Sequence, residues 1–140
     1  MQHDNTPVIT ELDAARIREL GARLTAPERG LDPLSELMEM VTEHAHIVPG
    51  RRVPPDIVTV NSTVSFRDEV TGSVHRVTVV YPYDTSIPER RISILSPVGR
   101  ALLGLPVGRI AAVELPDGST REIRILELHY QPEAAGEFTR

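Results

Sequence analysis

His44 and His46 are the nearest this sequence comes to a metal-ligand pair. Positions two apart on a helix face different directions, so they share an ion only where the helix has already ended; frayed helix-end histidines are the simpler reading. Glu28 and Asp32 are two carboxylates that could hold a divalent ion and deliver it into another protein's active site. Asp32, followed by Pro33, also has the type and place of a helix N-cap, and Arg29 stands between the two acids. Glu36, Glu39 and Glu43 recur at i, i+3 and i+7, an acidic stripe that is either solvated or meets a basic partner. Ser96 has no neighbouring His or acid to activate it as a nucleophile, and with Pro97 behind it reads as the cap of a short helix. His3, His75 and His129 have no evident companions. P-loop, G-x-S-x-G, H-E-x-x-H and strand-borne GxGxxG patterns are all missing, so no catalytic residue, metal site or cofactor is expected.

Composition narrows the partners. The 140 residues carry a net charge of -5, 20 acidic against 15 basic side chains, and every basic one is Arg. Nucleic-acid affinity comes mainly from Lys and Arg neutralising phosphates, so direct binding of nucleic acid is not expected. The chain has no Cys, which removes disulfides, thiol chemistry and Cys-ligated zinc. No basic-then-apolar leader pattern opens it and no apolar run is long enough for a bilayer, so a cytoplasmic protein without a membrane partner is expected.

The elements that must position these residues fall into two parts. Residues 1–9 read as loose, and Thr10-Glu11-Leu12-Asp13 as a capping box with Asp13 reaching back. A first helix follows with Leu12, Ile17, Leu20 and Leu24 near one stripe. After the turn at 26–30, a second helix runs from Asp32-Pro33 to about His46, its stripe Leu34, Leu37, Met38, Val41 and Ala45. Two such helices pack as a short antiparallel hairpin, each roughly 20 Å long. Three prolines and a glycine in residues 48–56 break every regular pattern, and the boundary is read there: 1–50 a helical arm, 51–140 a sheet domain. Strands are expected at 57–60, 63–67, 74–81, 91–95, 110–115 and 122–130, with glycine-bearing hairpin turns at 68–72 and 116–119. The fold class is thus α+β, an antiparallel sheet with one short helix at about 97–103. Ile123 and Ile125 point one way along the last strand and Leu126 and Leu128 the other, so either a bulge sits at 125–126 or both faces are covered.

The most punctuated stretch, ISILSPVGRALLGLPVG at residues 92–108, resembles the signature of the C-terminal domain of Gre transcript-cleavage factors. The likeness extends to VTVNSTV at 58–64, ELPDG at 114–118 and ILELHY at 125–130. The opening ITELDAARI at 9–17 and the ending YQPEAAG at 130–136 are similar to one branch of that family, whose members are linked to nucleoside diphosphate kinase. The resemblance implies an FKBP-like sheet wrapped on one short helix, and RNA polymerase as partner, met at the rim of its secondary channel. Carried over, Ser96 and Pro97 make the contact, with Leu95 beside them. True cleavage factors carry a long coiled coil with an acidic tip. The arm here is too short and residues 25–32 lack a matching acidic motif, so regulation without transcript cleavage is expected. The alternatives are an atypical cleavage factor acting through Glu28 and Asp32, or an interaction module for another protein such as nucleoside diphosphate kinase.

Overall fold

The computed structural model describes residues 6–23 and 33–139. Its elements run β1 (Val8–Thr10), α1 (Glu11–Arg23), α2 (Pro33–Glu39), a π-helical turn (Met40–His44), β2 (His46–Val48), β3 (Thr63–Asp68), β4 (Val74–Val80), β5 (Arg91–Ser93), α3 (Pro97–Leu102), β6 (Ile110–Glu114) and β7 (Thr120–Tyr130). This is a mixed α+β architecture: a curled five-stranded sheet in the order β5-β4-β3-β7-β6, and a two-stranded one, β1-β2.

Turn chemistry sets the hairpins. Asp68 Oδ1 accepts the Val70 and Thr71 N–H groups at 2.8 and 3.2 Å, and Gly72 supplies the positive φ that closes the β3–β4 connection. Asp117 and Gly118 do the same between β6 and β7. The pairs β3–β4, β3–β7 and β6–β7 are antiparallel as expected; β5, reached through the long 81–90 connection, runs parallel to β4 instead. Along β7 the register slips between Ile125 and Glu127, leaving Leu126 as the extra residue of a bulge, so Ile123 and Ile125 stay in the core.

Several expectations need correction. Residues 8–10 are not loose: they pair in parallel with β2, and the Val8 N–H donates to the Gly104 carbonyl at 2.9 Å. The second helix stops at His44 through the π turn, with the Ala45 N–H on the Met40 carbonyl, and His46 opens β2. Residues 57–60 form no ladder strand. Ile57 makes one bridge to Pro106 while Val58 exchanges hydrogen bonds with the 104–105 backbone. The turn at 26–30, Leu24, Glu28 and the Asp32 cap lie outside the described residues.

One core joins these elements. Ile9, Ala14 and Ile17 from β1 and α1, with Leu37 and Val41, pack in the same buried cluster as Val58, Val64, Ile94, Leu102 and Ile125. Gly21 lets α1 approach α2 closely, since a β-carbon there would stand 2.7 Å from Met38 Sδ. The polar tail also takes part: Gln131 is buried and its Nε2 donates to the carbonyls of Pro54 and Ile57 at 2.9 and 2.7 Å.

Candidate docking site

The stretch 92–108 turns a strand into a helix within four residues, and hydrogen bonds fix every step. Ile94, fully buried, donates its N–H to the Val80 carbonyl at 2.9 Å and ends the sheet edge. The Leu95 N–H goes to Ser93 Oγ at 2.9 Å. Ser96, in extended conformation, is the N-cap of α3: its Oγ accepts the Gly99 N–H at 3.1 Å and donates to the Ser93 carbonyl at 2.7 Å. Pro97 follows at the first helical position, where the missing N–H has no intrahelical acceptor to lose. Both hydrogen-bonding roles of the Ser96 hydroxyl are occupied by backbone, which suits a cap and not a nucleophile. Leu95, Ser96 and Pro97 are all half-buried, so the corner is rigid and still reachable.

Two depressions flank this corner. On one side a shallow groove of about 190 Å³ is lined by Pro97, Arg100, Ala101, Leu37 and Met40, with Glu36 and Glu114 at its edges. Arg100 Nη1 bonds Glu36 Oε1 at 3.2 Å across it, tying α3 to α2. On the other side the hollow of the curled sheet leaves an apolar cleft of about 340 Å³, lined by Phe66, Val77, Ile92, Val98, Leu115 and Ile123. Its polar rim holds an Asp68–Arg121 ion pair at 2.8 Å and His75, whose ring stacks on Phe66 at 5.3 Å. Some burial penalises the Asp68 charge, but the Thr71 and Val70 N–H groups, with Arg121 and His75, hold its carboxyl below the usual range.

The other candidates separate. Glu36, Glu39 and Glu43 are exposed, with Glu36 on Arg100 and Glu39 Oε2 4.0 Å from His44 Nε2. His44 and His46 belong to different elements, and among the described residues no group of three or more His, Asp or Glu is arranged to hold a metal ion. Glu28 lies outside the described residues. No helix among them is long and apolar enough to cross a membrane.

Three features escape sequence reasoning. His129, without companions in the sequence, meets Ser65 Oγ through Nε2 at 2.6 Å, across β3 and β7. Glu127 Oε2 stands 3.6 Å from His129 Nδ1, beyond hydrogen-bonding reach, so Ser65 and His129 form a cross-strand polar pair. The apolar cleft is assembled from five strands and α3, so no local pattern announces it. Asp13 is the third. Thr10 Oγ1 accepts the Asp13 N–H at 3.1 Å, half of the expected capping box, but the Asp13 carboxylate turns inward to the Val60 N–H and the Tyr81 hydroxyl.

Comparison with known proteins places the corner in context. Residues 53–130 match the family described as "Transcription elongation factor, GreA/GreB, C-term". Over 133 residues the chain is 39% identical to the "Regulator of nucleoside diphosphate kinase" of Escherichia coli strain K12, covering 95% of this chain and 96% of that one. It is 32% identical over 103 residues to "Transcription elongation factor GreA" of Amoebophilus asiaticus, covering 74% of this chain and 62% of the relative. A solved structure, "Prokaryotic transcription elongation factor GreA/GreB from Nitrosomonas europaea", superposes with a TM-score of 0.70 at 37% identity, over 89% of this chain and 98% of that one.

Proposed function

The chain belongs to the family of the GreA/GreB transcription elongation factor C-terminal domain, and we propose that it is a transcription regulator that binds RNA polymerase near the secondary channel. It competes there with Gre factors and does not stimulate transcript cleavage. Leu95, Ser96 and Pro97 carry the contact. The observation behind this reading is the corner itself: a capped, hydrogen-bonded turn at the surface, with an apolar cleft on one side and a groove bridged by Arg100 and Glu36 on the other. A docking partner gains most where little has to be ordered on binding.

In this reading residues 51–140 are the docking domain, an FKBP-like sheet curled on α3, and residues 1–50 are an arm built as a short helical hairpin. At 1.5 Å per residue the 13 residues of α1 reach only about 20 Å. Such an arm occupies the channel mouth without carrying acidic groups deep into the enzyme. The protein works in the cytoplasm, where its polymerase is.

Capture of core polymerase by the purified chain, run beside a cleavage assay on stalled elongation complexes, tests both halves. The proposal expects capture and no shortening of the transcript. Shortening that Glu28→Ala with Asp32→Ala abolishes would establish the cleavage-factor reading instead. A second reading has its own support, because a relative covering nearly the whole chain is named for regulating nucleoside diphosphate kinase. Capture of that kinase, with no capture of polymerase, would favour it.

A further inference from the structure

Among the described residues Asp13 is the one buried carboxylate, 3% exposed. It sits in the first turn of α1, yet its Oδ2 accepts the Val60 N–H at 3.2 Å and its Oδ1 the Tyr81 hydroxyl at 2.9 Å. These partners stand 47 and 68 residues further along, so one side chain fastens the first helix to the segments that enter β3 and leave β4. The surrounding groups are few. Arg16, one turn on, holds its guanidinium 5.9 Å from the Tyr81 ring centroid and donates to the Thr139 carbonyl at 3.0 Å. From the tail, Glu133 Oε1 accepts the hydroxyl of Thr59, the residue before Val60, at 2.8 Å. From β1, Thr10 caps the helix. None of the ion pairs among the described residues involves Asp13.

We propose that this junction is a proton-sensitive latch: protonated Asp13 holds α1 firmly on the Val60 and Tyr81 segments, and ionised Asp13 loosens it. A carboxylate taken out of water without an ion-pair partner is costly, and neutral donors offset only part of that cost. Burial pushes the Asp13 carboxyl up to about 6, against the hydrogen bonds from Tyr81 and the Val60 backbone, while the Glu133 charge adds to the rise and Thr10 opposes it. The direction follows from linkage. When α1 lifts off, Asp13 meets water and returns to the ordinary 3.8, so the closed state binds the proton more tightly. Closure is therefore strongest in acid and weakens as pH rises through about 6. Between pH 5 and pH 7.5 the open fraction grows about tenfold. Tyr81, whose own hydroxyl is driven upward by burial and by the Asp13 charge, stays a donor throughout.

The full chain supports a direct test. The carbon resonance of the Asp13 carboxyl is followed from pH 3 to 8, and hydrogen exchange of the α1 amides, corrected for intrinsic rates, is compared at pH 5 and 7.5. The latch requires a midpoint near 6 and opening about tenfold rarer at pH 5, a difference that vanishes in Asp13→Asn. Should that variant fold poorly, Tyr81→Phe removes one donor and must move the midpoint upward. A midpoint in the ordinary carboxylate range, or equal opening of α1 at the two pH values in the wild type, overturns the proposal.

Discussion

The carbonyl oxygen of Ser93 lies 2.0 Å from where a β-carbon on Gly99 would stand. The first turn of α3 therefore rests directly on the end of β5, and only glycine allows it. The same carbonyl accepts the Ser96 N–H at 3.0 Å and the Ser96 hydroxyl at 2.7 Å, so the strand end, the cap and the helix form one unit. Gly99→Ala is expected to destabilise the protein by about 1–3 kcal/mol, since a backbone oxygen cannot swing aside as a flexible side chain would. Urea unfolding checks this; an unchanged midpoint would mean that the corner is pliable.

Capping and docking can be separated at Ser96. Ser96→Ala removes the acceptor for the Gly99 N–H and should cost about 1 kcal/mol. Ser96→Asp keeps a good cap, so it should hold stability near the wild type while weakening polymerase capture by its new charge. Measuring unfolding and capture on the same two variants distinguishes a contact from a structural role.

Gly104 joins the corner to β1. Its φ is +86°, and a β-carbon there would lie 2.7 Å from Pro7 Cβ. Gly104→Ala should therefore strain the backbone and push β1 off, at a cost of more than about 1 kcal/mol. Faster exchange of the Val8 and His46 amides, which donate to the Gly104 and Pro7 carbonyls, would report the local opening.

Stability against pH has an unusual shape. The raised Asp13 value means that its contribution is complete below 3.8 and is lost as pH rises through about 6, a change of at most about 3 kcal/mol. Asp68 and Asp117 are held low and act in the opposite sense, their contribution lost only as pH falls below the usual carboxylate range. Unfolding should thus be harder at pH 5 than at pH 7.5, and Asp13→Asn should remove most of the difference between those two points.

Local rules make part of this fold legible in the sequence. The hairpin glycines and the Ser96-Pro97 cap each depend on a few neighbouring residues and are found where the sequence implies them, and of the two readings open for the last strand the bulge at Leu126 is the one observed. β1 and β2 are not legible in the sequence because three-residue strands show no alternation, and Val8 meets His46 only through tertiary pairing. The direction of β5 is likewise decided by the path of the 81–90 connection. The Asp13 carboxylate departs from the capping box for the same reason: the box is a local pattern, while Val60 and Tyr81 are remote. Leu95, Ser96 and Pro97 stand out in the sequence through family likeness alone, and the cap geometry that joins them depends on the Ser93 carbonyl at the end of β5.

Equilibrium binding of the chain to core RNA polymerase in competition with a Gre factor tests the proposed docking. Saturable binding at micromolar concentration or tighter is expected, displaced by the Gre factor and weakened at least about tenfold by Pro97→Ala. No binding at micromolar concentration, or binding that neither the competitor nor Pro97→Ala disturbs, would contradict it.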